Sequence, residues 1–448
     1  MVDASAFLFI IINANVIKLN IIMKKYTIVL MCLLGFFRVS ATSNERGSVT
    51  SNEPISGTQK EYATVPGDTA LLVLKNASVL DVKRGKFIKG KDVVIADGKI
   101  ISVSASGKIW KAAKVMDLTG KFIIPGLIDA HVHLTANRKN NMENTYRHLE
   151  YLLAHGITAV RDAGGDGAAL HEAQLEIRAG KRKGPDVYFS SFMAGDWYYN
   201  RDMHIRNEPY TPWEQLVVPG TNLDSAMSAA KACGATGLKL YHSFNKHFLP
   251  KVVQAAKAQD LKVWGHLMMY PATPLEVVDA GVEVVSHVYM LENLTTDSLF
   301  FKRKTPQAYK DSVIAALDID AFCKIMKKKN AILDATLCVS EDRNPWIFPL
   351  LKRIHEQGVA IAAGTDQIVD TDRAYPRLLD ELSYFVEKCG FSNADALRAA
   401  TMVGARVIGQ EKHIGVIEPG KSANLLVLEG NPLLDIHALK KINAVLKF

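Results

Sequence analysis

The chain has 448 residues, 48% hydrophobic and 22% charged, an ordinary globular balance with enough apolar material for a sizeable core. Its net charge of +8 is modest, and no basic stripe interleaved with aromatics runs through it, which argues against a nucleic-acid partner. The length suits two domains, one of them large.

The first elements stand apart from the fold. Met23-Lys24-Lys25, the apolar run from Tyr26 to Phe37 and the small residues Val39-Ser40-Ala41 read as a signal peptide cut near Ala41. Residues 1–22 lie upstream of it, so Met23 is the expected start, and residues 1–41 form an extension plus signal peptide. The apolar run is too short for a comfortable span, so no stable membrane span is expected after processing. A secreted or periplasmic protein follows. Residues 42–64 are rich in Ser, Asn and Gly and read as a flexible leader. Export permits disulfides, yet Cys233, Cys323, Cys338 and Cys389 are scattered in apolar settings without framework spacing. Buried free thiols are the expectation.

From Ala70 to Asp117 short strands alternate with turns: Leu72–Leu74, Ala77–Leu80, Asp92–Ile95 and Ile100–Val103, with Asp97-Gly98 as a hairpin signal. Matching β segments lie at the far end, in Gly415–Gly420 and Asn424–Leu428. The expectation is a small discontinuous β-sheet (sandwich) domain from residues 65–124 and 409–448, with residues 125–408 inserted.

Inside that insertion buried strands alternate with helical stretches. The strands are Gly126–Leu134, Gly156–Asp162, Asp186–Ser191, Gly237–Tyr241, Leu261–His266, Val282–His287, Ala331–Thr336 and Val359–Asp366, and a first helix covers Met142–His155. Eight strand–helix units match an α/β fold, a (β/α)8 TIM barrel. A doubly wound open sheet is the alternative, but no Gly-x-Gly-x-x-Gly opens the first helix.

On such a barrel the site forms at the C-terminal strand ends. Those ends carry His131 and His133 on the first strand, Lys239 on the fourth, His266 on the fifth, His287 on the sixth and Asp366 on the eighth. His131 and His133 are two apart and leave one face of the strand, while Val132 points the other way. Each residue alone has a plain reading as a core histidine, a snorkelling lysine or a helix cap. Six metal-competent groups at the same end of different strands make a metal site the better reading. Lys239 shares a face with Tyr241, whereas Leu238 and Leu240 face the helices, which would bury its amine in the site.

The run Pro125-Gly126-Leu127-Ile128-Asp129-Ala130-His131-Val132-His133 resembles the signature of the metal-dependent amidohydrolase superfamily. Gly156–Asp162, Gly364-Thr365-Asp366 and Gly415–Gly420 match further blocks in order, so the resemblance runs from about Ala70 to Phe448. It is strongest to imidazolonepropionase-like members, including prolidase-type dipeptidases with a carboxylated lysine. The resemblance implies that His131, His133, Lys239, His266, His287 and Asp366 are metal ligands. It also implies two divalent ions, zinc first among zinc, manganese, cobalt and iron, and carbon dioxide bound as a Lys239 carbamate. Asn424 departs from the pattern, which usually has Asp there, and Phe448 falls a little short of the usual last strand.

The implied activity is hydrolysis of an amide or peptide bond, of dipeptide or N-acyl amino acid type, by a metal-bridging hydroxide, with Asp366 moving its proton. Ester, lactone or cyclic-amide hydrolysis is the alternative on the same centre. Deamination is disfavoured because Leu267-Met268-Met269-Tyr270 follows His266 without the carboxylate that single-metal deaminases carry there. A non-catalytic scaffold is disfavoured because every ligand position is filled. Finally, the stretch Met193–Pro219 reads as a long loop over the site, rich in Trp197, Tyr198, Tyr199, Arg201, His204, Arg206, Tyr210 and Trp213. Trp197 and Tyr241 would wall a small-molecule substrate, and Arg201 or Arg206 would pair its carboxylate. A homo-oligomer interface is the competing reading of that loop.

Overall fold

The structure is a computed structural model that describes residues 71–108, 110, 113–135, 142–200 and 210–448. The expected signal peptide and leader lie outside the described residues. Strands β1 (Leu71–Asp81), β2 (Lys86–Ala96), β3 (Lys99–Ala105), β4 (Ala113–Asp117) and β5 (Phe122–Pro125) come first. Then follow β6 (Leu127–His133), β7 (Ile157–Asp162), β8 (Asp186–Ala194), β9 (Glu214–Leu216), β10 (Gly237–Leu240) and β11 (Lys262–His266). The last are β12 (Val284–Ser286), β13 (Ile332–Asp334), β14 (Ala360–Ala362), β15 (Gln367–Ile368), β16 (Leu425–Leu428) and β17 (Ile442–Leu446).

Two sheets result. One is mixed and draws on both ends of the chain, in the order β17-β16-β5-β1-β2-β3, with β4 also on β1. Most of its pairs are antiparallel, while β1 runs parallel to β4 and β5. The runs Leu72–Leu74 and Ala77–Leu80 are one strand, β1, with register shifts between Leu74 and Val79. Gly415–Gly420 departs from expectation: it forms turns, not a strand. Gly415 sits at φ +91° and Gly420 at φ +87°, and Pro419 has no N–H to offer a ladder. Besides β5, β16 pairs with β17, which the sequence reading did not anticipate.

The other sheet is parallel and TIM-barrel-like, in the order β14-β13-β12-β11-β10-β8-β7-β6-β15. After the turn at 363–366 the chain leaves β14, paired to β13, and enters β15, paired to β6. Helices cover its outside with amphipathic faces. Ile347–Glu356, for example, buries Ile347, Phe348, Leu350, Leu351 and Ile354, the 3.6-residue spacing of a core-facing stripe. Gly167–Arg178 starts at Asp166, whose carboxylate accepts from the Ala168 and Ala169 amides. Among the described residues no helix is long and apolar enough to cross a membrane. Cys233, Cys323, Cys338 and Cys389 are free thiols, as expected.

Alternation sorts each barrel strand. Outward residues such as Val160, Leu238, Leu240, Val263, Val285 and Leu333 join the large core under the helices. Inward residues Ile128, Ala130, Ala159, Tyr188, Trp264, Val284, Ile332 and Ala362 pack as a separate apolar cluster in the barrel's lower half. One inward position further, the side chains turn polar: Arg161, Lys239, His266, Ser286 and Asp334, all buried.

Candidate metal centre

The first strand reaches this polar tier through a bulge. Between Asp129 and Val132 the β6–β7 register shifts by one residue, so three steps on β6 match two on β7. Ile128 and Ala130 therefore belong to the apolar tier, while His131 and His133 come inward above it and Val132 returns to the outer core. Other site residues sit where strands end in unusual backbone. His287 has φ +80°, Thr336 φ +51° and Asp366 φ +52°, left-handed turns that swing side chains off the strand axis. At Gly364 a β-carbon would lie 2.3 Å from Asp334 Oδ1 and 2.8 Å from the His131 β-carbon, so only glycine lets β14 approach so closely.

These elements converge on Asp366. Its Oδ1 is 2.9 Å from His133 Nε2 and 3.2 Å from His131 Nε2, and its Oδ2 is 3.6 Å from His287 Nδ1. His131, His287 and Asp366 offer ligand atoms that all lie within 4.8 Å of one another. The His266 ring lies 4.7 Å from that of His287, and the Tyr241 ring 3.9 Å from that of His266. Burial pushes the Asp366 carboxyl up, but His131 and His287 outweigh it and hold it well below the carboxylate range. Burial drives the His287 imidazole down to about 3 and, with Lys239 and His287 beside it, His266 well below its usual value. Both rings are therefore neutral at pH 7 and keep the lone pair a metal needs. His133 goes the other way: burial lowers it, but its bond to Asp366 and the Asp162 charge raise it.

Lys239 is buried, and its Nζ lacks a hydrogen-bond partner. Burial first, then the Arg161 cation, brings its amine down to about 7. A buried amine that is half neutral at pH 7, facing imidazoles and a carboxylate, is the chemical form that a carbamate or a metal would use. The donor set thus fits a cationic centre: two neutral imidazoles, two further histidines on a carboxylate, and an amine without a partner.

Asp334 and Arg161 were missed by the sequence reading, yet they organise the tier. Asp334 Oδ2 accepts from His131 Nδ1 at 2.6 Å, Arg161 Nη2 at 2.7 Å and Ser286 Oγ at 2.9 Å. Burial raises the Asp334 carboxyl, but His131 and Arg161 outweigh it and hold it at about 2. Since Asp334 is ionised, His131 donates through Nδ1, and Nε2 is the nitrogen turned toward Asp366. Arg161 also donates to the Ala130 carbonyl and lies over the Trp264 ring at 5.0 Å. Asp129, on the outer side of the bulge, binds the Thr365 amide and hydroxyl at 3.1 and 3.0 Å, and burial raises its carboxyl to about 7. It fixes the turn that carries Asp366. The Asp129–Thr365 link had a signal, since both belong to blocks noted in the sequence; the Asp334 hub had none.

A cleft of about 1170 Å³ opens beside the cluster, with Tyr241 and His266 on its wall together with Trp197, Tyr198, His242 and Tyr270. Trp197 and Tyr241 therefore line it, as anticipated. Residues 196–200 are helical, where an irregular loop was expected. Arg201, Arg206 and His204 lie outside the described residues.

The model of the amidohydrolase family matches residues 122–447. Over 90 residues the chain is 40% identical to an adenine deaminase of Desulfatibacillum aliphaticivorans, covering 20% of this chain and 14% of that protein. Over 89 residues it is 39% identical to a dihydroorotase of Pelotomaculum thermopropionicum, covering 20% of each. The chain thus matches only a small part of these curated relatives' own lengths. Among solved structures, a Xaa-Pro dipeptidase with methionine in its active site superposes with a TM-score of 0.69 and 21% identity, covering 84% of this chain and 98% of that one. Ochratoxinase of A. niger superposes with a TM-score of 0.66 and 20% identity, covering 85% and 94%. These likenesses concern the fold. With the family model spanning all the strands of the parallel sheet and the polar cluster at their ends, the chain belongs to the amidohydrolase family.

Proposed function

We propose that the protein hydrolyses an amide or peptide bond of dipeptide or N-acyl amino acid type. The observation that carries this reading is the convergence of His131, His133, His266, His287, Lys239 and Asp366 beside a cleft large enough for such a molecule. In this reading the parallel sheet is a (β/α)8 barrel whose mouth gathers the ligands. His131, His133 and Asp366 would hold one divalent ion, His266 and His287 a second, zinc being the first expectation, with Lys239 between them as a carbamate. Such ions supply Lewis-acid polarisation of the scissile carbonyl and a water activated near neutral pH.

The chain's own residues do the rest. Asp334 holds His131 in one tautomer and so keeps Nε2 available. Asp366 lies within hydrogen-bond reach of two imidazoles and would be the carboxylate that accepts a proton from the attacking water and delivers it to the leaving nitrogen. Tyr241, on the cleft wall against His266, would donate to the oxyanion that develops. Arg201 or Arg206 would pair a substrate carboxylate.

Deamination is the second reading, because curated relatives that match short stretches are adenine deaminases. Against it stands the carboxylate-free run Leu267–Tyr270 after His266. A panel of dipeptides, N-acyl amino acids and adenine, offered to zinc-loaded protein, separates the two. Amide hydrolysis with close to two bound ions is expected; ammonia release from adenine with every amide left intact would reverse the order. We infer in addition an exported protein cut near Ala41, which N-terminal sequencing of the mature form tests: a chain beginning at Met1 contradicts it.

A further inference from the structure

We propose that the cleft holds a subsite for a planar aromatic group of the substrate, walled by the open rings of Trp197 and Tyr270, with His242 stacked between them as the residue that positions both. The inference rests on the amide-hydrolase reading and narrows its substrate to amides carrying an aryl group. Trp197 and His242 have ring centroids 4.3 Å apart and planes 20° apart; His242 and Tyr270 are 5.1 Å and 21° apart. Three near-parallel rings thus come from three different connections, those after β8, β10 and β11.

Backbone bonds lock these connections together. The Gly195 amide donates to the His242 carbonyl at 2.9 Å, and the Ser243 amide to the Met269 carbonyl at 2.7 Å. At Gly195 a β-carbon would fall 2.6 Å from that of Ser243, so the two segments are in direct contact. His242 Nδ1 is fixed on Ser243 Oγ at 2.9 Å, and the Tyr270 hydroxyl donates to Asn293 Oδ1 at 2.9 Å. Yet Trp197 remains 52% exposed and Tyr270 45%. Large rings held rigid and left open to solvent offer a prepared surface, so a guest ring stacks without the cost of ordering its partner.

The chemistry of the wall selects the guest. Among the described lining side chains Asp196 alone carries a fixed charge; the others near the ladder include Met268 and Met290, soft groups that pack well on ring edges. Tyr241 continues the wall inward to His266, so a ring against the ladder would place the attached carbonyl toward the cluster. A saturated ring of equal width fills the same space but lacks the offset stacking that favours aromatic pairs.

The test compares N-benzoyl and N-cyclohexanecarbonyl derivatives of one amino acid on zinc-loaded protein. These share the scissile bond and differ in planarity. A benzoyl preference of about tenfold in kcat/KM, expressed in KM, is expected. In His242→Leu and in the exposed variant Trp197→Leu that ratio should fall toward one. A ratio near one in the unaltered protein, or one unchanged in both variants, overturns the subsite. An independent reading is saturation-transfer NMR on metal-free protein with benzamide and cyclohexanecarboxamide. Benzamide should bind and lose its signal in Tyr270→Leu, while equal signals from both amides overturn the proposal. Hydrolysis without aryl preference sinks the subsite and keeps the hydrolase; benzamide stacking with no amide hydrolysed sinks the hydrolase and keeps the subsite.

Discussion

A step of two positions leads from Trp264 to His266, from Val284 to Ser286 and from Ile332 to Asp334, and it carries each strand from an apolar tier into a buried polar one. The lower tier is ordinary core: its side chains gain by leaving water, and Trp264 satisfies its one polar atom on the Val407 carbonyl at 2.8 Å. The upper tier is equally dry but costs free energy. Of its ionisable groups Arg161 and Asp334 pair at 2.7 Å, while Lys239 has its amine without a partner. The comparison teaches where stability and chemistry are divided. The barrel is held from below, and the strain its function requires is stored one inward position above.

The largest effect should come from relieving that strain. Folded, the Lys239 amine titrates near 7; unfolded, it returns to the ordinary lysine value of 10.5. Between those pH values the unfolded chain binds more protons, so stability rises with pH through the window. The lysine's cost is full below about pH 7 and gone by about pH 10.5. At ~1.4 kcal/mol for each tenfold change in proton affinity, it is about 5 kcal/mol at its largest. Lys239→Met, free of metal and carbon dioxide, should therefore be more stable than the unaltered protein at pH 7, with the two unfolding curves converging toward pH 10.5. It should also bind less metal. A gap that stays constant with pH would show that the amine is not what strains the tier.

Breaking the lower tier should do the reverse. Trp264→Ala removes a fully buried ring and the platform under Arg161, and it should cost about 3–5 kcal/mol in denaturant unfolding. No proposed ligand is touched, so zinc affinity measured well below the unfolding transition should stay within a few-fold. A large loss of affinity at unchanged stability would mean that the tiers are not separable in this way.

How far the sequence already showed this division depends on distance along the chain. His131, His133, Lys239, His266, His287 and Asp366 were legible because each lies at or near the end of a short apolar run. Alternation orients Lys239 and His266, whereas His131 needs the β6 bulge and His287 and Asp366 their left-handed turns. Leu238 and Leu240 face outward as that alternation requires. Arg161 and Asp334 were not legible: they bond each other across 173 residues, and Asp334 reaches His131 across 203. Either residue read alone passes for a strand terminus. Gly415–Gly420 misled for the opposite reason. Val416 and Ile417 are buried like strand residues, but the flanking glycines place the backbone in turns. His242 was overlooked beside Tyr241 because its stack exists only where three connections cross.

Asp334 links the two tiers, and its neutral isostere isolates that link. Asp334→Asn keeps the shape but offers His131, Arg161 and Ser286 a neutral carbonyl in place of an ionised oxygen, so charge no longer enforces the Nδ1–H form of His131. Zinc affinity should fall about 10–100-fold, the usual scale for losing a partner behind a ligating histidine. Competition titration with a chelator reads this directly. Unchanged affinity would remove Asp334 from the positioning of His131 and leave it as a partner for Arg161 alone.

The smallest effect should fall at the other end of the strands, where chemistry is absent. Asn424 precedes β16, and its Nδ2 donates to Asp186 Oδ2 at 3.3 Å, at the first residue of β8. Lys447 holds the other oxygen of Asp186 at 2.7 Å. Asn424→Asp, the residue that the family pattern usually carries here, would replace that donor with a second carboxylate, leaving Lys447 as the nearby cation for both. Loss of one hydrogen bond and a like-charge contact should cost about 1 kcal/mol at pH 7. The cost should shrink as pH falls through the carboxylate range, because the introduced carboxyl group, once protonated, can donate again. kcat/KM should not move, since Asp186 begins its strand and the cluster gathers where strands end. A change in kcat/KM at constant zinc content would show that the mixed sheet and the polar tier are coupled through β8, and the division between the two ends of the barrel would have to be redrawn along that strand.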